Sequence, residues 1–252
     1  MKVFYTEGYG LGDHLLFSTL PEKFNEIGQE VFFHSSNRFR NQMMKELILD
    51  CNPFIKGISE QPANIGQRLY LDNGNYFAQI KNMIMRVEAS NGLVPTNIYP
   101  KIYYRFDKNN PSTYKERIFI DDMAVSTIVN NVYNNKKLII ETIRKILSNS
   151  INEKREVFLI RAPFANSIQS INLDILGFPT IQIKDSFEYC DLIKNCFHFI
   201  CLSSGSQVLA SAIKRENIFP LITVIDSNPH LQNCIDEGVF VFDNVSYINY
   251  NL

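Results

Sequence analysis

Two short stretches carry the residue types that could do chemistry. In the first, Gly8, Gly10 and Gly12 punctuate a turn after the run Lys2–Thr6 (KVFYT), and Asp13 opens the apolar-periodic stretch HLLFSTL. A strand, a glycine-rich turn and a helix start present unpaired N–H groups at the positive end of a helix, which suits an anion. Asp13 puts a carboxylate where an anion-binding loop would not want one. The turn therefore points to a base or an acceptor-side group at Asp13, with Gly10, Gly12 and His14 around it. Asp is also a common helix cap, worth about 1 kcal/mol, and both readings of Asp13 stay open. The near-match to G-x-G-x-x-G ends in Asp13, and the run Val31–His34 does not end in an acidic residue. That disfavours a nicotinamide or flavin site. The second stretch is the tight turn Ser203-Ser204-Gly205-Ser206, between an apolar run and a helical pattern.

Hydrophobic periodicity gives the elements that must position these turns. Leu15, Leu16, Leu20, Phe24 and Ile27 recur at helical spacing over Asp13–Glu26. Pro21 would kink or restart that helix and Gly28 would stop it. Val31–His34 reads as a strand, Asn37–Leu49 and Tyr76–Ser90 as helices, and Ile102–Phe106 as a strand, while 52–75 offers only short strands in loop. This βαβα opening implies a parallel sheet with right-handed crossovers.

The polar, proline-bearing segment Asp107–Lys115 is the expected linker. Beyond it, strands are expected at Arg117–Asp121, Val157–Ile160, Thr180–Ile183, Phe197–Leu202 and Leu221–Ile225. Helices are expected at Lys136–Ser148, at Phe187–Asn195 capped by Asp185 and Ser186, and at Gln207–Ile213. Leu138, Ile139, Ile143, Ile146 and Leu147 would form the inner face of the first of these, and Val239–Phe242 could add an edge strand. The fold class expected is α/β, as two Rossmann-like β/α/β domains, 1–110 and 111–252, facing a cleft. Ligands of such sheets bind beyond the carboxyl ends of the strands, which makes the two turns candidate walls of one site.

Composition narrows the classes. With 25 Lys and Arg against 26 Asp and Glu, the net charge of -1 argues against nucleic-acid binding driven by bulk electrostatics. The 252 residues, 45% apolar, suffice for a sizeable core. No apolar run approaches the roughly 18 residues of a spanning helix, and the N-terminus runs straight into a strand without a leader pattern. The expected location is cytoplasmic, with a peripheral contact at the inner face of the membrane left open. The five cysteines show no CxxC spacing and read as reduced, mostly buried thiols, and the four scattered histidines give no case for a metal.

The stretch GYGLGDHLLFSTLPEKFNEIG resembles the opening of the ADP-heptose:lipopolysaccharide heptosyltransferase family, glycosyltransferase family 9, whose form is G-x-G-D-x-L-x-x-x-P. The run KDSFEYCDLIKNC, FHFICL and SSGSQVLASAI resembles its C-terminal domain. The resemblance implies a GT-B fold, acceptor contacts on the N-terminal half, and nucleotide-sugar contacts on the C-terminal half. It puts the catalytic base on Asp13 and the diphosphate-holding turn on Ser203, Ser204, Gly205 and Ser206. It implies no bound metal and no cofactor beyond the nucleotide-diphosphate sugar as co-substrate. Ser203 replaces the family's usual Asp, and Val208 stands where a His is common, which leaves the donor sugar open.

Arg161 and Lys184, each after a strand-like run, could balance a diphosphate, although a solvated surface charge is the plainer reading of both. Gln207 could reach a phosphate or a sugar, or be a polar first-turn residue. Asp121 and Asp122 read as loop caps, and Tyr103 and Tyr104 as packing residues. The expected function is metal-independent transfer of a sugar to a glycan or glycolipid hydroxyl in bacterial lipopolysaccharide, lipooligosaccharide or capsule assembly. Alternatives are a nucleotide-sugar epimerase, since SSGSQ is similar to the Ser-Gly-Gly-x-Gln turn of those enzymes, and a non-catalytic nucleotide- or glycan-binding protein.

Overall fold

The computed structural model describes residues 1–5, 10–39, 41–66, 80–106, 114–123, 135–149, 154–162, 171, 173–213, 220–226, 228–238 and 240–250. Gly8, the first four residues of the helix expected from Tyr76, and residues 107–113 of the expected linker lie outside these. The chain forms two compact units. One holds Met1–Arg105 with Cys234–Phe242, the other Phe106–Asn233 with Asp243–Leu252. A division at residue 110 does not include the return of Cys234–Phe242 to the first unit.

In the first unit, β1 (Lys2–Tyr5), β2 (Val31–His34), β3 (Ile55–Ser59) and β4 (Ile65–Gly66) form a parallel sheet ordered β3-β2-β1-β4. Val3 and Phe4 point to opposite faces and both are buried, so the sheet is covered on both sides. The helix expected over Asp13–Glu26 is two helices, α1 (Leu11–Leu16) and α2 (Leu20–Glu26). Pro21 lies in the first turn of α2, where its missing N–H costs nothing, so it restarts the helix. Gly28, at φ +72°, ends α2 as expected.

The helix expected over Asn37–Leu49 is only α3 (Gln42–Lys45), continued by a π-turn over Glu46–Asp50. The next helix, α4 (Met83–Ser90), is capped by the Asn82 side chain, which accepts from the N–H groups of Ile84 and Met85. Buried Glu88 accepts from the backbone N–H groups of Thr96 and Asn97 at 2.8 and 3.2 Å and so anchors the following loop. Ile102–Phe106 is not a strand. The polar groups in and beside this segment turn to α2 and the break before it instead: the Lys101 N–H donates to Ser18 Oγ at 2.7 Å, and the Tyr103 hydroxyl to Glu22 at 3.2 Å.

The second unit contains β5 (Ile118–Asp121), α5 (Lys136–Leu147), β6 (Val157–Arg161), β7 (Thr180–Gln182), α6 (Ser186–Asn195) and β8 (His198–Leu202). It continues with α7 (Gly205–Ala212), β9 (Leu221–Asp226), α8 (Asn228–Glu237) and β10 (Ser246–Asn249). Its six strands are all parallel and ordered β10-β9-β8-β5-β6-β7. Numbered from β5, that is the 3-2-1-4-5-6 order of a doubly wound Rossmann sheet. β5 and β8 are buried at every residue, as central strands covered on both faces must be. Helix α5 buries Ile139, Ile140, Ile143 and Ile146, whereas Leu138, expected on the inner face, is exposed.

Of the edge strand expected at Val239–Phe242, Val239 lies outside the described residues and Phe240–Phe242 are not a strand; the last strand is β10. Gly238 and Phe240 both adopt positive φ, which interrupts an extended chain before the segment can join the ladder. None of the described helices is long and apolar enough to cross a membrane.

Two stability predictions follow from this packing. A Cβ at Gly238 would overlap the Lys81 backbone carbonyl, so Gly238→Ala should destabilise the chain by about 2 kcal/mol in denaturant unfolding. An unchanged midpoint would show that the return segment is not seated on Lys81. His198 lies buried against Thr223 Oγ1 at 2.8 Å, and burial lowers its pKa to about 4. In the unfolded chain it titrates near 6.5, so on acidification the unfolded state takes up the proton first. Its contribution is intact above about pH 6.5 and falls by about 3 kcal/mol as pH drops to 4. His198→Gln should flatten the stability profile over that interval, and equal slopes for the two proteins would contradict this.

Candidate functional site

A Rossmann sheet leaves a crevice where the connections diverge, at the carboxyl ends of its first and fourth strands. In the second unit those strands are β5 and β8. β5 ends in Asp121, and β8 runs through Ser203 and Ser204 into α7. Ser204 is the N-cap of α7, and its Oγ accepts from the Ser206 N–H at 3.3 Å. The Gln207 N–H donates to the Ser204 carbonyl at 3.2 Å, and the Ser203 N–H to that of Ile225 at 3.3 Å. Among the described residues, the N–H groups of Ser204 and Gly205 have no acceptor. They are what the turn offers a ligand.

Directly behind this turn lies Asp121, 1% exposed. Its Oδ2 accepts from the Tyr189 hydroxyl at 2.5 Å and the Ser206 hydroxyl at 2.6 Å, and its Oδ1 accepts from the Met123 N–H at 3.0 Å. The two hydroxyls stand 3.1 Å apart, closing a triangle of oxygens. Burial pushes the Asp121 carboxyl up, against the three donors that favour its charged form. Burial and the adjacent carboxyl push Tyr189 well above the ordinary phenol range, so it stays a hydroxyl donor. Asp121 is thus a cap for Met123, as its position after a strand suggested, and also the point where β5, α6 and α7 are joined. Nothing in the local sequence singles out Tyr189, whose partner lies 68 residues away.

The expected cations take other places. Arg161, at the end of β6, donates to Asp122 Oδ1 at 3.0 Å and to Asp174 Oδ1 at 2.5 Å. Asp122 is fully buried, and its Oδ2 accepts from the Leu173 N–H at 2.9 Å. The guanidinium is therefore the counter-charge of a buried carboxylate rather than a group presented to a diphosphate. Lys184 is exposed beyond the edge strand β7, three strand spacings or roughly 14 Å from β8. The structure does not bring it to the turn. Ser203, Ser204, Gly205, Ser206 and Gln207 do stand together, with Ser203 and Gln207 buried. The Ser206 hydroxyl, however, points to Asp121.

In the first unit, Gly10 is the N-cap of α1, and Asp13 is its third helical residue rather than its cap. The Asp13 carboxylate reaches back to the Gly10 N–H at 3.0 Å, the N3 half of a capping box. Gly12 is buried. His14 is 2% exposed, its ring 5.1 Å from that of Phe39, and it lines a small interior pocket with Phe4, Phe17, Phe33 and Tyr103. His14 thus faces the interior of the unit. Among the described residues no group of three or more His, Cys, Asp or Glu side chains could hold a metal ion.

No protein-family model matches the sequence, and no curated protein matches it either. Solved structures do. The iron-containing dodecameric glycosyltransferase TibC from enterotoxigenic E. coli aligns with a TM-score of 0.61 at 15% identity, over 98% of this chain and 62% of TibC. The glycosyl transferase family 9 protein of Veillonella parvula aligns at 0.53 and 10%, over 98% of this chain and 85% of its own. E. coli heptosyltransferase WaaC with ADP aligns at 0.53 and 10%, over 99% and 93%. The chain spans about three fifths of the length of TibC. The likeness is one of fold: two parallel, Rossmann-like α/β sheets arranged along the chain as in family 9 heptosyltransferases.

Arg161→Met would leave Asp122 buried without its counter-charge and should cost about 3 kcal/mol in urea unfolding. An unchanged midpoint would return Arg161 to the role of a free phosphate contact.

Proposed function

We propose that this chain is a metal-independent glycosyltransferase of GT-B type, moving a sugar from a nucleotide-diphosphate sugar to a glycan or glycolipid hydroxyl. The observation that carries the reading is the turn at the β5/β8 switch point, with two unpaired N–H groups at the start of α7, in a fold shared with family 9 over 98% of the chain. The domain bounds proposed are 1–110 for the acceptor side and 111–252 for the donor side, with Cys234–Phe242 returned to the first unit. TibC has been solved with ADP-D-β-D-heptose and WaaC with ADP, which supports a nucleoside diphosphate as the donor's leaving group here.

In this reading Asp13 takes the proton of the acceptor hydroxyl as its oxygen bonds to the anomeric carbon. The bond from that carbon to the diphosphate oxygen breaks, and the electron pair leaves with the diphosphate. The N–H groups of Ser204 and Gly205 and the helix dipole of α7 stabilise the charge that develops there. Ser203 and Gln207 complete the wall of the donor site. Arg161 is left out because its charge is committed to Asp122 and Asp174. The setting proposed is bacterial surface-polysaccharide assembly at the cytoplasmic face of the inner membrane.

Asp13→Asn tests the base. Its amide oxygen can still accept from the Gly10 N–H, so α1 keeps its start. Turnover should fall by roughly 10²–10⁴ while nucleotide binding stays near the unsubstituted value. Near-normal turnover would make Asp13 a capping residue only and sink its catalytic assignment.

A further inference from the structure

We propose that Asp121 and Tyr189 are positioning residues for the donor diphosphate, acting through Ser206 to hold the start of α7 in its anion-accepting form. This rests on the function proposed above and adds two residues to it. Neither lies in either of the turns that the sequence marks.

Three elements distant in sequence meet at one carboxyl oxygen: β5 through Asp121, α6 through Tyr189 and α7 through Ser206. Ser206 is the second residue of α7, immediately after Gly205. Its N–H is held by Ser204 Oγ from one side, and its side chain by Asp121 from the other. With both ends of Ser206 fixed, the N–H vectors of Ser204 and Gly205 are set before any ligand arrives. Donors fixed in advance do not have to be ordered at the cost of binding energy, which is what preorganisation means at an anion site.

The strength of the anchor follows from its burial. Asp121 is removed from water, so the two hydroxyls and the Met123 N–H are the donors it has in place of solvent. A hydroxyl that left the triangle would strand part of the carboxyl. The Tyr189 ring is itself 2% exposed and packs edge-on against Phe199 at 6.2 Å, which fixes where its hydroxyl can point. Tyr189 thus holds the carboxyl, the carboxyl holds Ser206, and Ser206 holds the turn.

The test is calorimetric titration of the folded chain and its variants with ADP, GDP and UDP, below their melting temperatures. Ser206→Ala and Tyr189→Phe should each weaken the nucleotide that the unsubstituted chain binds by about tenfold, the scale of one hydrogen bond to a charged group. The double variant should lose little more than either single one, because both break the same chain of contacts. Ser206→Thr, which keeps the hydroxyl, should restore binding. Should Tyr189→Phe fail to fold, the Ala and Thr variants at Ser206 decide alone. Unchanged affinity in Ser206→Ala, or failure of Thr to restore a loss, overturns the positioning role while leaving the donor site in place. An unsubstituted chain that binds none of the three nucleotides overturns the function on which the role rests, and the role with it.

Discussion

A carboxyl that is removed from water must find its hydrogen bonds in the protein, and in this chain that requirement falls on Asp121. Its position is dictated by topology. β5 is the strand from which the sheet winds both ways, so its carboxyl end opens on the crevice, and the residue there is walled in by α6 and α7. Tyr189 and Ser206 supply the donors from those two helices. The neighbouring Asp122 solves the same problem differently, with Arg161 and the Leu173 N–H. Two adjacent buried acids are thus satisfied in two ways, one by hydroxyls and one by an ion pair. The hydroxyl-satisfied acid is the one beneath the open turn.

The first unit makes a parallel use of an acid at a helix start. Asp13 closes the first turn of α1 by accepting the Gly10 N–H, which fixes its carboxylate at the start of the helix instead of leaving it to swing. The break between α1 and α2 then serves the packing behind it, since Ser18 receives the Lys101 N–H and Glu22 pairs with Lys101 and Tyr103. Structure and proposed chemistry therefore place the same demand on Asp13: a carboxylate held at one point.

Much of this was legible in the sequence because it is local. The strands Val31–His34 and Phe197–Leu202, the stop at Gly28 and the Asp185 cap are each written in a few consecutive residues, and each is where it was expected, within a residue at the ends. The turn expected over Ser203–Ser206 is shorter, since α7 begins at Gly205, two residues before the expected Gln207. What failed was long-range. IYYRF has strand composition, but the segment is held by Ser18 and by Glu22 of α2 instead of by a ladder. VFVF has strand composition too, but Gly238 and Phe240 bend the chain before a ladder can form. Leu138 fits the apolar pattern of α5 but falls on the edge of the buried stripe, where Ile140 takes its place. Arg161 and Tyr189 could not be assigned from spacing, since their partners Asp122 and Asp121 lie 39 and 68 residues away in sequence.

The proposed function requires that the open N–H pair at the start of α7 receive a nucleoside diphosphate. It is tested most directly by following the backbone amide resonances of the chain while ADP, GDP or UDP is added. One nucleotide should bind saturably, and the amides of Ser204 and Gly205 should shift with it. Saturable binding that leaves those two amides unmoved, or no binding by any of the three, would contradict it.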